Sequence, residues 1–417
     1  MEEKCFELEK CRELECCHEL ENCHELEKCH ELKKCHELEK CRELEDCREW
    51  EDCREWDRCC EKINLSFVEN NCKILKKLAQ ERAVFCVLKA DAYGHGSVAV
   101  AKLLETQCDY FAVATAGEGL ELRRAGITRA VIVLGFVDRE NYLCAVENDL
   151  TLSCFGKFDI QACNLLAEQC GMVAKIHLAT NCGMNRIGCS VGQAVAVAQE
   201  IVACKSLFLE GVFSHYSCAD SDQVETRKQS AQFCAVVENL RVAGIAPRYR
   251  HIANSYALLG GEPIVGNAVR VGISLFGGVT SDLQSKFGLR ESSSFVGKIV
   301  DIRFVLQGEK VGYGGQIVTK NLYLATVAAG YADGLPRGFS GCGGGYLRGE
   351  FLPIVGKVCM DMCMLDIGDG ERAQVGDEVT FWGAESGKSV CEIAGRANMS
   401  EYELLARVGK RVEKVYI

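Results

Sequence analysis

The stretch that decides the fold is AVFCVLKADAYGHGSVAVAKLL, Ala83 to Leu104. Six apolar residues lead into Lys89, a polar loop with two glycines follows, and a helical pattern begins near Ser97. Apolar runs that alternate with helical stretches are typical of parallel sheets whose faces are covered by helices. The unit of buried strand, polar loop and helix is therefore the one from which we predict the fold.

This unit recurs along the chain, at the apolar runs 110–115, 130–135, 150–155, 173–180, 209–215 and 249–255. We also expect a strand, and then an amphipathic helix, within INLSFVENNCKILKKLA. About eight units favour a closed (β/α)8 barrel over an open doubly wound sheet, and we place the barrel at residues 61–294. After about Ser294 strand-like runs dominate, which predicts a mostly-β C-terminal domain at residues 295–417.

The first 60 residues have a different composition. They hold 21 of the 59 acidic side chains and 11 of the 48 basic ones, and so nearly all of the net charge of −11. Cysteine returns every six residues from Cys5 to Cys59, with Leu or Trp midway. Apolar residues at every third position drift around a helix and form no single packing face. We predict a helical or partly disordered extension, with metal or partner binding through its Cys-His pairs as the alternative.

The overall composition excludes several classes of function. No apolar run is long enough to span a membrane, and the acidic N-terminus does not read as a secretory signal. We therefore expect the 28 cysteines to be mostly reduced thiols in a cytoplasm. The net negative charge argues against nucleic-acid and anionic-membrane partners.

Lys89 ends a predicted barrel strand, where catalytic groups of such barrels lie. Desolvation at this position lowers the pKa of an ammonium group and makes the amine a nucleophile toward a carbonyl. The alternative is a solvated strand end. Tyr93 and His95 follow in the same glycine-containing loop, which suggests a hydroxyl donor close to an anion.

Further polar residues follow other predicted strands. Arg186 lies in the glycine-flanked loop GMNRIG, where its forked cation can bind a carboxylate or a phenolate. The backbone N–H groups of Gly272 and Ile273, after Arg270, can cradle a phosphate. The other candidates at strand ends are His215, His251, Asn254 and Ser255. Each of them alone is more simply interpreted as an ordinary core residue, but together they indicate a site.

These stretches, in this order, resemble the alanine racemases, a pyridoxal-phosphate family with a barrel followed by a β domain. The resemblance covers about residues 61–417 and excludes the repeat. It rests on LKADAYGHG, GMNRIG, SHYS, HIANS, VRVGISLFG, VGYGG, GYADGLPR, VGKVCMDMCM and EYELLARVGKRV. It implies interconversion of L- and D-alanine, which would supply D-alanine for peptidoglycan, with pyridoxal 5′-phosphate as cofactor and no metal.

The resemblance also implies the catalytic roles. Lys89 would form the Schiff base with the cofactor and act as one base, and Tyr313, from a second subunit, would act as the other. Two bases on opposite faces of a planar intermediate are what racemisation needs. Met360, also from the second subunit, would help to bind the substrate carboxylate. A homodimer with shared sites follows from these two roles.

The remaining implied roles concern the cofactor. Arg270 would face the pyridine nitrogen, and Arg186 the phenolate oxygen and the substrate carboxylate. His215 would lie between Arg270 and Tyr313 and tune the tyrosine. The predicted phosphate ligands are Tyr93, Ser255, Gly272, Ile273 and Tyr402.

One position departs from the family pattern. Many members carry a lysine, often carbamylated, seven residues before the loop arginine, and this chain has Ala179 there. That lysine normally supports the arginine, so the orientation of Arg186 is put in question. Asn181 could help to bind a small anion instead, or the loop could repack locally.

Several other functions fit parts of the same sequence. A racemase acting on serine or on a broader set of amino acids is the alternative within enzymes, because a hydroxyl adds little bulk. A single-domain pyridoxal-phosphate carrier would lack the β domain, and a basic amino-acid decarboxylase would be expected to carry an acid in place of Arg270. A non-catalytic binding or scaffold protein, in which the repeat is the working part, is the alternative from another class.

Overall fold

Two sheets dominate the part of the chain that the structure, a computed structural model, describes: residues 58–156, 158–261 and 263–417. The predicted repeat extension falls almost entirely outside these residues. The strands, in chain order, are β1 (Cys59–Ile63), β2 (Ala83–Val87), β3 (Tyr110–Val113), β4 (Val131–Val133), β5 (Leu150–Cys154), β6 (Ala174–Asn181), β7 (Cys189–Ser190), β8 (Leu207–Phe213), β9 (Tyr249–His251), β10 (Ala268–Val271), β11 (Ser293–Val305), β12 (Lys310–Val311), β13 (Gln316–Ile317), β14 (Leu322–Val327), β15 (Gly344–Leu347), β16 (Glu350–Val355), β17 (Cys363–Gly368), β18 (Glu378–Trp382) and β19 (Glu413–Tyr416).

Most of the helices follow the barrel strands. They are α1 (Leu65–Ala79), α2 (Ser97–Leu104), α3 (Ala116–Arg124), α4 (Tyr142–Glu147), α5 (Ile160–Gln169), α6 (Ala194–Ala203), α7 (Gln223–Val242), α8 (Ser255–Leu259), α9 (Ser281–Phe287), α10 (Val390–Arg396) and α11 (Glu401–Ala406). A short 3₁₀ turn, Ile273–Phe276, follows β10. None of the helices in the described ranges combines the length and the apolar character needed to cross a bilayer.

The parallel barrel is confirmed. Its strands follow the order β5-β4-β3-β2-β10-β9-β8-β6, and β5 pairs with β6 to close the ring. In β2, four of the five residues are buried, because the barrel interior covers one face of the strand and helices cover the other. The continuous apolar run in the sequence records this two-sided burial.

The barrel begins and ends at strands other than those expected. The expectation of a barrel strand at the start of INLSFVENNCKILKKLA is wrong, because the strand there is Cys59–Ile63 and pairs with β11 and β19 of the other sheet. The side chain of Asn64 accepts a hydrogen bond from the backbone N of Phe67 and caps α1, so the strand stops before it. The remaining barrel strand is β10, which our list of apolar runs leaves out.

The mostly-β C-terminal region is also confirmed. Its strands follow the order β14-β17-β16-β15-β18-β11-β1-β19, and every pair except β1 with β19 is antiparallel. The rings of Phe295 and Trp382 stack 4.5 Å apart in its core. Because β1 precedes the barrel and β11 follows it, the barrel is inserted between two neighbouring strands of this sheet.

Glu61 on β1 is fully buried where this sheet meets the barrel, and neither of its carboxyl oxygens has a well-formed hydrogen bond among the described residues. Burial raises its pKa to about 8, although nearby Lys414 and Ser293 oppose the shift. Since the unfolded chain has the ordinary value of 4.5, folding takes up a proton between the two values. Stability therefore falls as the pH rises across this window, by at most about 1.4 kcal/mol per pH unit.

We predict that Glu61→Gln abolishes this contribution, because glutamine has the same shape and no charge. Urea unfolding of the variant and the wild type near the two ends of the window gives the measurement. The stability difference in favour of the variant should grow toward the alkaline end. A difference that is the same at both ends would show that Glu61 does not titrate in this way.

Candidate active site

A cavity of about 550 Å³ opens at the carboxyl ends of the barrel strands. Nine of the eleven site residues predicted from the sequence line it: Lys89, Tyr93, Arg186, His215, Ser255, Arg270, Gly272, Ile273 and Tyr402. The other two do not. Tyr313 lies between β12 and β13 with 71% of its surface exposed, and Met360 is exposed as well. A single chain therefore brings together most of the predicted site, but not both of the predicted bases.

Lys89 follows β2 and is half-buried at the edge of the cavity. Burial lowers the pKa of its amine, and the positive charges of Arg186 and Arg270 lower it further. Glu118 acts in the opposite direction but does not outweigh them. A larger share of Lys89 is thus the neutral, nucleophilic amine than in a solvated lysine.

A left-handed turn presents Lys89 and Tyr93 to the cavity. Ala90, Asp91, Ala92 and Tyr93 all have φ between 52° and 54°, although none of them is glycine. Each such residue costs on the order of 1 kcal/mol, so the turn needs support from outside. Part of the support comes from Glu118 on α3, which accepts a hydrogen bond of 2.8 Å from the backbone N of Ala90.

The C-terminal sheet supplies further support for this turn. Asp91 accepts from the backbone N of Ser97 at 2.7 Å with one carboxylate oxygen, and its other oxygen pairs with Lys414 on β19 at 2.9 Å. His95 is a core histidine that does not line the cavity, since its ring stacks on Phe276 at 4.1 Å. Burial lowers its pKa to about 4. The loop is therefore a shared product of the barrel and the sheet.

Two tyrosine hydroxyls are available in the cavity as hydrogen-bond donors. Burial raises the pKa values of Tyr93 and Tyr402 well above the ordinary phenol value, so both remain protonated. Gly272 allows Tyr93 to approach, because a Cβ at this position would lie 2.4 Å from the tyrosine hydroxyl. The Ser255 hydroxyl accepts from the backbone N of Gly272 at 3.0 Å and from the Ser274 hydroxyl at 2.8 Å. This end of the cavity thus offers neutral donors.

Both Nη atoms of Arg270 donate hydrogen bonds to the residues around them. Its guanidinium donates to His215 Nδ1 at 2.9 Å, to His251 Nδ1 at 2.6 Å and to the Ser214 backbone oxygen at 2.7 Å. Burial, and next the charge of Arg186, lower its pKa to about 10, which still leaves it a cation at neutral pH. Burial and the charges of Arg270, Arg186 and Lys89 hold the pKa of His215 well below its usual value, so His215 is neutral.

Arg186 shows how the loop is arranged without the family lysine. Ala179 is buried at the lysine position, and Asn181 instead folds back on its own loop. Its side-chain oxygen accepts from the backbone N of Gly183 at 3.1 Å and of Asn185 at 3.0 Å. Its amide donates to the side chain of Asn185. These contacts favour local repacking over anion binding at Asn181, and no acceptor for the Arg186 guanidinium is found within the described ranges.

The charges of the cavity point to an anionic ligand. Lys89, Arg186 and Arg270 all face it, and its described lining contains no aspartate or glutamate. A phosphate at the tyrosine end and a carboxylate near Arg186 would each meet donors or cations. The lining therefore fits a phosphate-bearing cofactor together with an amino-acid substrate.

Sequence reasoning missed the residues that support the site from behind. Glu118, Lys414 and Tyr416 touch the Lys89 loop from α3 and β19, and no local motif marks them. It also missed the apolar wall of Leu134, Phe136, Phe155 and Met184. A cue did exist for Glu118, because Thr115 and Glu118 form a capping box at the start of α3.

The fold and the cavity define the class of protein: a (β/α)8-barrel enzyme with an appended β domain and a cationic site. Family models agree with this division. Residues 63–280 match the alanine racemase N-terminal domain, and residues 293–416 match the alanine racemase C-terminal domain. The chain belongs to the alanine racemase family, whose members depend on pyridoxal 5′-phosphate.

Individual relatives cover the same part of the chain. The chain is 36% identical to alanine racemase 2 of Caldanaerobacter subterraneus over 364 residues, 85% of this chain and 94% of the relative. It is similar to the solved alanine racemase of Clostridium difficile, with a TM-score of 0.81, 33% identity, and coverage of 87% and 97% of the two chains. The Bacillus anthracis alanine racemase with bound L-Ala-P gives a TM-score of 0.77 at 30% identity, with coverage of 87% and 95%.

We predict that two substitutions of Asp91, in the loop after Lys89, destabilise the protein by different amounts. Asp91→Ala removes both the hydrogen bond from the backbone N of Ser97 and the ion pair with Lys414. It should lower the free energy of unfolding by about 1–2 kcal/mol. Asp91→Asn keeps an oxygen for Ser97 and loses only the pair, so it should cost less than about 1 kcal/mol. Urea unfolding measures both.

Arg241→Met is the control for loss of an exposed ion pair, because it breaks the contact between Arg241 and Glu238 on α7. Lys414→Met should match Asp91→Asn, since each removes one side of the same pair. Equal losses of stability for Asp91→Ala and Asp91→Asn would contradict a stabilising role of the hydrogen bond from Ser97 to Asp91.

Proposed function

We propose that the cavity binds pyridoxal 5′-phosphate and that the chain interconverts L- and D-alanine in it. The observation that carries this proposal is the half-buried Lys89, with a lowered pKa, in a cavity lined by cations and neutral phenols and by no described carboxylate. Family membership supplies the reaction class. Supply of D-alanine for peptidoglycan is the role we propose for the product.

The residues of the cavity divide the binding work among themselves. Tyr93 and Tyr402 would donate to the phosphate group, beside the turn formed by Gly272 and Ile273 and braced by Ser255. Arg270 would donate to the ring nitrogen. As an arginine, it does not give up its proton, so the ring nitrogen would stay unprotonated. Arg186 would bind the phenolate oxygen and the substrate carboxylate.

The bound cofactor supplies an electron sink for the α-carbon of an amino acid. The chain must then hold a base on each side of that carbon. Lys89 would take or return the proton on one face through Nζ. The Tyr313 hydroxyl of the partner subunit would do so on the other.

The position of Tyr313 supports a homodimer. Within one chain this residue lies outside the cavity and is largely exposed, as is Met360. A two-base reaction in this cavity therefore needs Tyr313 of the partner subunit, with Met360 of the partner subunit beside the substrate carboxylate. A symmetric dimer would complete both sites at once.

We predict that the purified chain racemises alanine and exchanges the α-hydrogen of both enantiomers for deuterium. Lys89→Ala should lower the rate by roughly 10²- to 10⁴-fold, because one proton carrier is lost. NMR of the α-hydrogen in D₂O measures the exchange. Serine, run in parallel, separates an alanine enzyme from a broader one, and the absence of exchange with either amino acid would reject the function.

A mixing experiment tests the shared site. Lys89→Ala and Tyr313→Phe chains should each be nearly inactive, but their heterodimer would hold one site with both wild-type residues. Random mixing of equal amounts should restore about a quarter of wild-type activity. If Lys89 and Tyr313 act within the same chain, the mixture stays inactive. A different affinity tag on each chain, with sequential purification on both tags, checks that the heterodimer forms.

A further inference from the structure

A line of buried polar side chains runs from Arg270 down the interior of the barrel. His251 Nδ1 lies 2.6 Å from the guanidinium, and His251 Nε2 lies 2.9 Å from His177 Nδ1. His177 Nε2 is 3.4 Å from a carboxylate oxygen of Glu210, a polar contact that falls short of a well-formed hydrogen bond. The Tyr110 hydroxyl donates to the same oxygen at 2.6 Å. All five side chains are at least nine-tenths buried. None except Arg270 lines the cavity.

The direction of these hydrogen bonds follows from their ends. A guanidinium only donates, so His251 Nδ1 accepts and the proton of its neutral ring is on Nε2. That proton is donated to His177 Nδ1, which leaves the His177 proton on Nε2, facing Glu210. An ionised carboxylate only accepts. The line therefore has one consistent arrangement, from the cation at the cavity to the anion in the interior.

The barrel is built to hold the two imidazoles in place. Gly211 on β8 faces His177, and a Cβ at this position would lie 2.5 Å from the ring. The ring of Phe213 stacks on His251 at 5.3 Å with an angle of 7° between the planes. The ring of Phe85 on β2 lies 4.9 Å from His251. Such packing leaves the imidazoles little freedom to turn.

The charges at the two ends complement each other. No carboxylate touches Arg270 within the described ranges, and its hydrogen bonds go to backbone oxygens and imidazoles. Burial raises the pKa of Glu210, but the contact with His177 and the hydrogen bond from Tyr110 outweigh it, so the net pKa is lowered and the group is ionised. Lys175, which pairs with Asp149, adds a smaller effect in the same direction.

We propose that Glu210 is a positioning residue for the reaction, the buried counter-anion of Arg270, which acts through His177 and His251. It does not touch the cavity. It fixes the tautomers of the two imidazoles and thereby the charge and orientation of the guanidinium that faces the cavity. The effect on catalysis rests on the proposed function of Arg270 at the cofactor ring.

The test compares Glu210→Gln with Thr151→Val. Glutamine keeps the shape but can turn its amide toward His177, where two donors would then compete. Because the Tyr110 hydroxyl donates to Glu210, Thr151 donates to Tyr110 at 2.6 Å. Valine at position 151 therefore removes a buried hydrogen bond of the same region and leaves the charge and the imidazoles intact. Glu210→Asp keeps the charge at a shorter reach.

Two measurements separate a positioning role from a purely structural one. In the full-length wild-type chain without cofactor, ¹⁵N NMR of histidine should show His177 and His251 neutral with the proton on Nε2, and Glu210→Gln should disturb both signals while Thr151→Val does not. In the cofactor-loaded enzyme, Glu210→Gln should lower kcat per bound cofactor about tenfold with little change in KM. Its cofactor absorption spectrum should also shift, and Glu210→Asp should recover part of kcat.

The proposal is overturned if His177 is cationic or carries its proton on Nδ1, or if Glu210→Gln and Thr151→Val behave alike. Should Glu210→Gln fail to fold, the wild-type NMR and Glu210→Asp decide the matter. A wild-type chain that does not racemise alanine would reject the proposed function instead, and the NMR result without cofactor would still judge the buried line.

Discussion

Four consecutive residues with left-handed backbone angles follow Lys89, and much of the molecule holds them in place. The conformation is unfavourable for each of these side chains, so it persists only where its surroundings determine it. Glu118 holds the turn from the barrel side, and Lys414 holds it from the C-terminal sheet. The position of the Lys89 amine is thus a property of both domains, which explains why the β domain belongs to the site although it lines little of the cavity.

The electrostatics of the cavity follow from the lack of aspartate and glutamate in its described lining. Three cations face one another with no described anion between them, so the amine of Lys89 loses part of its affinity for a proton. An anionic ligand would relieve this repulsion, which makes the cavity selective before any shape is considered. In our proposal the charge of Arg270 is compensated from behind by Glu210, through His251 and His177, where the carboxylate does not compete with a ligand.

The sequence predicted those parts of the fold that depend on local patterns. Continuous apolar runs such as β2 are readable because burial on both faces leaves no polar position. It failed for β1 and β10, since each is a short strand whose sheet is chosen by a distant partner. The same limit applies to the site: Lys89 and Arg270 stand in recognisable motifs, whereas Glu210 and Lys414 act through contacts across the fold that no spacing records.

The pairing of β1 with β19, the last strand of the chain, has a consequence for the order in which the chain is made. Tyr416 on β19 reaches the loop at His95 across 321 residues of chain. During synthesis on the ribosome, β1 therefore emerges long before β19. Until β19 pairs with β1, the carboxyl group of Glu61 is not yet enclosed as it is in the folded protein. The loop after Lys89 gains its contacts with Lys414 and Tyr416 only when β19 has left the exit tunnel. Nascent chains that stop short of β19 would therefore contain Lys89 and its loop without these two supporting contacts.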